Sequence, residues 1–454
     1  MKANVKQSSH SPRSFSYLSK EAFALCFAFG LIWLTFVSCD LAGSYQASRS
    51  GNNDAVIAPG IANSIDDVET QTVINSIITK VEEIRGLTTS LSEINTITDN
   101  EWMLFLDDLF SKEYTLQQSL LDQVEWELLG LISPGENLRN LRYQLLLGEV
   151  LGFYDSDTDQ MSVLDRAAPD SGLFKMVVAH EYAHALQDAQ FGLKETDDIT
   201  GRANLDLQLA YTAFVEGDAS ITGLKAFEAL ATRGDRNDLR RSVGKTEYPG
   251  LHTTEYYLKE RFDFPYKYGV PFVENLLERG GWDRVNLAYN NLPVSTEQIL
   301  HPQKYLKYEN PLTVEITDFS PYLPSGWAES RRNTMGEFWL ELVFNKGHLK
   351  KGVGGEGWGG DQYVIYSAED NNLLVLKTVW DTVSDHEEFL EILASEFAVE
   401  VGSVQPSQGD LSGVRKRGDW SDREKTGVII DDGSAIYLVI GTDADAVVAI
   451  ASAI

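Results

Sequence analysis

The sequence predicts an α+β protein, and three observations carry that expectation. Apolar residues recur at helical spacing in "TQTVINSIITKVEEI" and "WMLFLDDLFSKEY". "EVLGFYDSDTDQMSVLD" switches to strand character around a polar turn at Asp155–Asp159. From about Pro311 short strands and helices alternate, as in "YVIY", "NLLVLKTVW", "HEEFLEILASEFA" and "VIIDDGSAIYLVIG".

Residues 1–39 have the form of an export signal. Lys2, Lys6, Arg13 and Lys20 lead into the uncharged run "AFALCFAFGLIWLTFV", short for a membrane span and suited to a signal-peptide core. It ends in "FVSCD", which resembles a bacterial lipoprotein signal whose lipidated residue is Cys39, although Phe36 replaces the usual Leu. An ordinary secretory signal or an uncleaved N-terminal anchor are the alternatives, and each places the body outside the cytoplasm at the membrane or beyond it. The chain holds two cysteines, Cys26 and Cys39, so an exported body has no internal disulfide. Residues 40–66, rich in Ser, Gly, Asn and Ala, read as a flexible tether.

Residues 67–147 read as a helical N-terminal region with a turn at "LISPGENL". The next span, 148–310, carries the chemistry, and 311–454 form an α+β C-terminal region. Gly172 to Gln190 reads as a helix closed by "FG"; Asn204 to Ala231 as a second, interrupted near Gly217. "PFVENLLERGGWDRVNLAYNNLP" suggests two more, and "STEQILHP" opens with a capping pattern, Ser295 with Gln298, and stops at Pro302.

A net charge of −30 argues against a nucleic-acid partner, whose phosphates want a basic surface. Two motifs are decoys. Asp155, Asp157 and Asp159 begin like a calcium loop, but Gln160 and Arg166 stand where Gly and Glu are needed, so a hairpin turn is the better account. "GVGGEG" matches G-x-G-x-x-G but follows Lys350–Lys351 and precedes a strand pattern, so it reads as a structural loop.

"MVVAHEYAHALQDAQFG" is the informative stretch. On a helix His180 and His184 lie one turn apart on the same face, able to grip one zinc ion, with Glu181 close enough to reach a metal-held water. The bland alternative is two buried histidines making hydrogen bonds. A catalytic zinc needs a third ligand; "ALQDAQFG" supplies no histidine, and none follows until His252. Glu216, in the apolar stretch "LQLAYTAFVEGDASIT", is the carboxylate candidate, because burial there is costly unless it is paired or ligates a metal. Pairing with an arginine such as Arg202 is the alternative. Asp218 competes as ligand but points elsewhere on a helix, which suits it to orienting a histidine. Ala213, Ala219 and Ser220 share the face of Glu216 and would let the two helices approach closely.

"GFYDSDTDQMSV", "VVAHEYAHALQD" and "AFVEGDAS" together resemble the gluzincin class of zinc metallopeptidases. More narrowly, they are similar to a little-characterised bacterial and archaeal metallopeptidase group, with weaker likeness in "STEQILHPQKY" and "GEGWGGDQY"; the resemblance spans about Leu129 to Tyr366. It implies a zincin-like fold, with the active-site helix under a small sheet whose edge strand, around Met161–Val163, binds peptide. One departure matters: many gluzincins hold the first histidine with an aspartate four residues after the ligand glutamate, where this chain has Ser220.

The expected activity is hydrolysis of a peptide or protein substrate. Zn2+ held by His180, His184 and Glu216 supplies an activated water, and Glu181 serves as general base. Tyr268, His301 and Tyr305 are the candidate donors to the developing oxyanion, with His301 reading first as a helix-end hydrogen-bonding residue. The second hypothesis is a non-enzymatic zincin-scaffold lipoprotein that binds a peptide or envelope partner. A third is zinc-dependent hydrolysis of a non-peptide amide.

Overall fold

The computed structural model describes residues 63–64, 67–90, 93–133, 135–169, 171–193, 204–242, 253–344, 355–399, 401–404, 415–421 and 424–454. The signal, Cys39, nearly all of the tether, Arg202, His252 and the first half of the Gly-rich loop therefore lie outside the described residues. Among those described, no helix is long and apolar enough to cross a membrane.

The α+β expectation holds. In chain order the elements are β1 (Asn63–Ser64), α1 (Val68–Arg85), β2 (Glu93–Ile97), α2 (Asp99–Lys112), α3 (Leu116–Leu128), α4 (Leu138–Glu149), β3 (Gly152–Asp155), β4 (Gln160–Leu164), α5 (Gly172–Phe191), α6 (Leu205–Leu230), α7 (Arg233–Ser242) and α8 (Thr254–Ala288). Then come α9 (Thr296–Leu300), α10 (Pro302–Leu306), β5 (Ala328–Asn333), α11 (Gly336–Phe344), β6 (Trp358–Ala368), β7 (Asn371–Trp380), α12 (Val383–Glu396), β8 (Gly402–Val404), β9 (Arg415–Ser421), β10 (Thr426–Asp431), β11 (Ile436–Gly441) and α13 (Ala444–Ala453).

The first sheet runs β1-β2-β4-β3. β3 and β4 form the expected antiparallel hairpin, whose turn is closed by Asp155 accepting from the Asp157 amide (2.8 Å) and from Thr158 Oγ1 (2.8 Å). The helical N-terminal region also holds β2, which pairs in parallel with β4 and joins this sheet. One expectation needs correction: the Met161–Val163 strand is not an edge, because β4 lies between β2 and β3, and β3 is the outer strand on that side. β3 is pinned to α5, since a Cβ on Gly152 would lie 2.5 Å from Val177 Cγ1.

Helix α5 begins where Ser171 Oγ accepts from the Phe174 amide (3.0 Å) and ends at Gly192 in the left-handed region. Its residues from Gly172 to Gln187 are almost all buried, as for a helix apolar around its whole circumference. α6 runs unbroken past Gly217, against expectation. That glycine answers a tertiary demand: a Cβ there would meet the Gly269 carbonyl carbon and oxygen of α8 at 2.3 Å, and one on Gly269 would lie 1.8 Å from the Ala213 oxygen. Ala213 thus serves the contact with α8, whereas α6 approaches the His180 backbone at Gly223. α8 is the expected pair of helices, with the break at Gly280 and Gly281, where the backbone leaves the helical region.

The second sheet, β5-β6-β7-β11-β10-β9-β8, is antiparallel throughout. One face, including Tyr363, Ile365, Leu374, Leu376 and Leu438, joins the apolar core that holds α5, α6 and α8. The other, with Val364, Val375, Val428 and Val439, packs on α13. Arg331 of β5 crosses to α3, donating to Glu125 Oε2 (2.7 Å) and Asp122 Oδ1 (2.5 Å), so this region is clasped to the N-terminal helices.

Candidate metal centre

α5 and α6 bring His180, His184 and Glu216 together, with one ligand atom from each within 4.8 Å of the others. Nε2 of His180 lies 3.0 Å from Nε2 of His184 and 3.1 Å from Glu216 Oε2, and His184 Nε2 lies 3.5 Å from the same oxygen. A tetrahedral zinc with bonds of about 2.05 Å would space its ligand atoms about 3.3 Å apart. The observed triangle suits that face.

The protonation pattern suits it too. Gln187 Nε2 donates to the Val215 carbonyl (3.0 Å) and to Asp218 Oδ2 (3.1 Å). Both partners only accept, so the amide is fixed with its nitrogen toward α6. Its oxygen then faces His184 Nδ1 at 2.8 Å, which must be the N–H. With the proton on Nδ1, the neutral tautomer of His184 would keep its lone pair on Nε2, the nitrogen that faces His180 and Glu216. His180 Nδ1 is buried with no hydrogen-bond partner, consistent with the absence of a carboxylate at Ser220.

The charges point the same way. His180, Glu181 and His184 are 0% exposed and Glu216 1%, so any net charge here is poorly solvated. Burial holds His180 below its ordinary range against the pull of Glu216, which favours the neutral imidazole a metal requires. Burial raises the Glu216 carboxyl, but His184 and His180 outweigh it and bring it down to about 2. Burial and then Glu216 push Glu181 well above the usual carboxylate range, and the Tyr154 backbone of β3 opposes them only in part. Neither Glu181 oxygen has a hydrogen-bond partner of normal geometry, and among the described residues no lysine or arginine pairs with either glutamate. The buried Glu216 carboxylate and the two converging nitrogens form a donor set that a divalent cation would complete.

The other sequence candidates fall elsewhere. Asp218 is no ligand in this geometry; it accepts from Arg85, from Gln187 and from Tyr289 (2.7 Å), and so orients His184 through Gln187. It is Asp218, not Glu216, that pairs with an arginine. His301 caps α9 and meets Glu337 Oε1 at 2.8 Å, the helix-end role expected first. Tyr305 donates to the Asn291 carbonyl (2.8 Å). Tyr268 packs on Phe264 and Phe338. The tyrosine at the centre is Tyr266, two residues earlier, which sequence reasoning missed. Its ring centroid lies 6.4 Å from that of His180, and its hydroxyl interacts with Glu216. Burial, then Glu216 and Glu181, push its pKa well up, so it stays a hydroxyl donor. Gln187 was also missed, although it stands three residues after His184 on the same face.

Residues 323–451 match a family described as a domain of unknown function (DUF8575). The match covers the second sheet and its helices, outside the metal centre. No curated protein and no solved structure matches the chain.

Proposed function

We propose that the chain is a zinc metallopeptidase of gluzincin type, tethered outside the cytoplasm through Cys39 or an N-terminal anchor. The observation that supports it most is the convergence of His184 Nε2, His180 Nε2 and Glu216 Oε2, with the His184 lone pair held inward by Gln187. Zinc bound there would supply Lewis acidity and a water with a pKa lowered toward about 7. Glu181, one residue from His180 and beside β3, would serve as the general base that accepts a proton and returns it to the leaving amine. The Tyr266 hydroxyl is placed to donate to charge developing on a substrate carbonyl. β3, the outer strand beside Glu181, is the edge on which an extended peptide would lie.

One observation favours the binding-scaffold alternative: His180, Glu181, His184 and Glu216 are all buried, with no exposed face offered to a substrate. The two readings separate in one experiment. Purified mature protein loaded with zinc should cleave members of a mixed peptide library, lose that activity to a chelator, and regain it with added zinc. Zinc uptake with no cleavage of any peptide would leave the binding reading standing.

A further inference from the structure

We infer that Arg85 sets the metal-binding form of His184 through Asp218 and Gln187, which makes the N-terminal helix α1 a working part of the centre and not a detachable leader. The inference rests on the metal-centre reading above.

α1 ends at Gly86, whose φ of 64° turns the chain away just as Arg85 projects inward. Arg85 is 5% exposed. Its guanidinium donates to Asp218 and to Asn286 Oδ1 (2.7 Å), and it lies 4.3 Å from the Trp282 ring centroid. Asp218 is wholly buried, and Arg85 is the cation paired with it. One Asp218 oxygen takes the guanidinium; the other takes Gln187 Nε2 and the Tyr289 hydroxyl. The orientation of the Gln187 amide follows, and from it the Nδ1–H form of His184.

A second contact points the same way. One turn before Arg85, Glu82 accepts from the Tyr182 hydroxyl (2.8 Å), a residue between the two metal-binding histidines. Ile74, Ile77 and Val81 of α1 are buried in the same core as α5 and α6. α1 thus grips the histidine helix through Glu82 and the glutamate helix through Arg85. Without the Arg85 fork, Asp218 loses its paired cation and the constraint on which oxygen faces Gln187. The amide is then free to turn its nitrogen toward His184, which would place a proton on Nε2 and oppose metal binding. Arg85 touches neither metal nor substrate in this scheme; it is a positioning residue.

The test compares the full mature chain with Arg85→Met, Arg85→Lys, Gln187→Met and the double variant Arg85→Met/Gln187→Met. Zinc affinity is measured by competition with a chromophoric chelator, and the visible spectrum of the cobalt-loaded protein reports the ligand set. Each methionine variant should weaken zinc binding by about 10- to 100-fold and change the cobalt bands. The double variant should lose no more than the weaker-binding single one, because both break one chain of bonds. Arg85→Lys should recover part of the loss. If Arg85→Met does not fold, Arg85→Lys, alone and combined with Gln187→Met, decides the matter. Wild-type affinity and an unchanged cobalt spectrum in Gln187→Met, or additive losses in the double variant, overturn the relay while leaving the metal centre standing. A folded wild-type chain that takes up no zinc removes both.

Discussion

Replacing Glu181 with Gln is expected to lower peptide hydrolysis by about 10²- to 10⁴-fold while leaving zinc content unchanged. The asymmetry follows from where the side chain sits. Glu181 belongs to the helix that carries both histidines, yet its oxygens bond to none of His180, His184 and Glu216 and have no hydrogen-bond partner of normal geometry. β3 presses against it from the other side; a Cβ on Gly152 would lie 3.3 Å from Glu181 Cγ. Glutamine keeps the volume and the packing, so fold and ligand set should survive. What it removes is the ability to accept and return a proton. Turnover rates of zinc-loaded wild type and variant, with metal content measured on the same samples, give the result. Equal turnover would exclude Glu181 as base, and joint loss of zinc and activity would make it a structural residue.

Arg331→Met is expected to destabilise the chain by about 3–5 kcal/mol, read from urea unfolding. Arg331 is the cation from β5 that meets Asp122 and Glu125 of α3 in a buried cluster. Arg142 also pairs with Asp122 (2.5 Å), and Tyr363 of β6 donates to Glu125 (2.7 Å). Burial raises the Asp122 carboxyl, but Arg142 and Arg331 outweigh it and hold it below its ordinary range. Removing Arg331 strands carboxylate charge in the interior, which costs more than the pair itself contributes. Lysine should rescue little, because one arginine fork serves two carboxylates at once. A loss below about 1 kcal/mol would mean the cluster is wetter and weaker than its burial indicates. A large loss would tie the region of residues 323–451 to the stability of the helices that carry the metal centre.

Much of the centre was legible in the sequence because its signals are local. His180, Glu181 and His184 follow from one helical turn, and the closing Phe191–Gly192 marks that helix's end. Glu216 stood out as an acid in an apolar stretch. The β3–β4 hairpin announced itself by alternation around a turn rich in aspartate. What was not legible depends on contacts between distant segments. β2 is five residues long, and its partner β4 comes after three helices, so its pattern alone did not separate it from the surrounding helices. Strand order, and with it the identity of the edge, is not encoded in either strand. Gly217 looked like a helix break because the Gly269 backbone that requires it lies on another helix. Tyr266 and Tyr268 are both tyrosines in "FPYKYG", and only the placement of α8 decides which one meets Glu216. Arg85 carried no local signal at all.

The most direct test of the account is the metal itself: the mature chain, purified without added metal, analysed for metal content and by X-ray absorption at the zinc edge. The account predicts about one zinc per chain, with two nitrogen ligands and carboxylate oxygen at about 2.0–2.1 Å, and loss of that zinc in Glu216→Ala. A folded chain with no zinc, or zinc retained at full occupancy in both Glu216→Ala and His184→Ala, would contradict it.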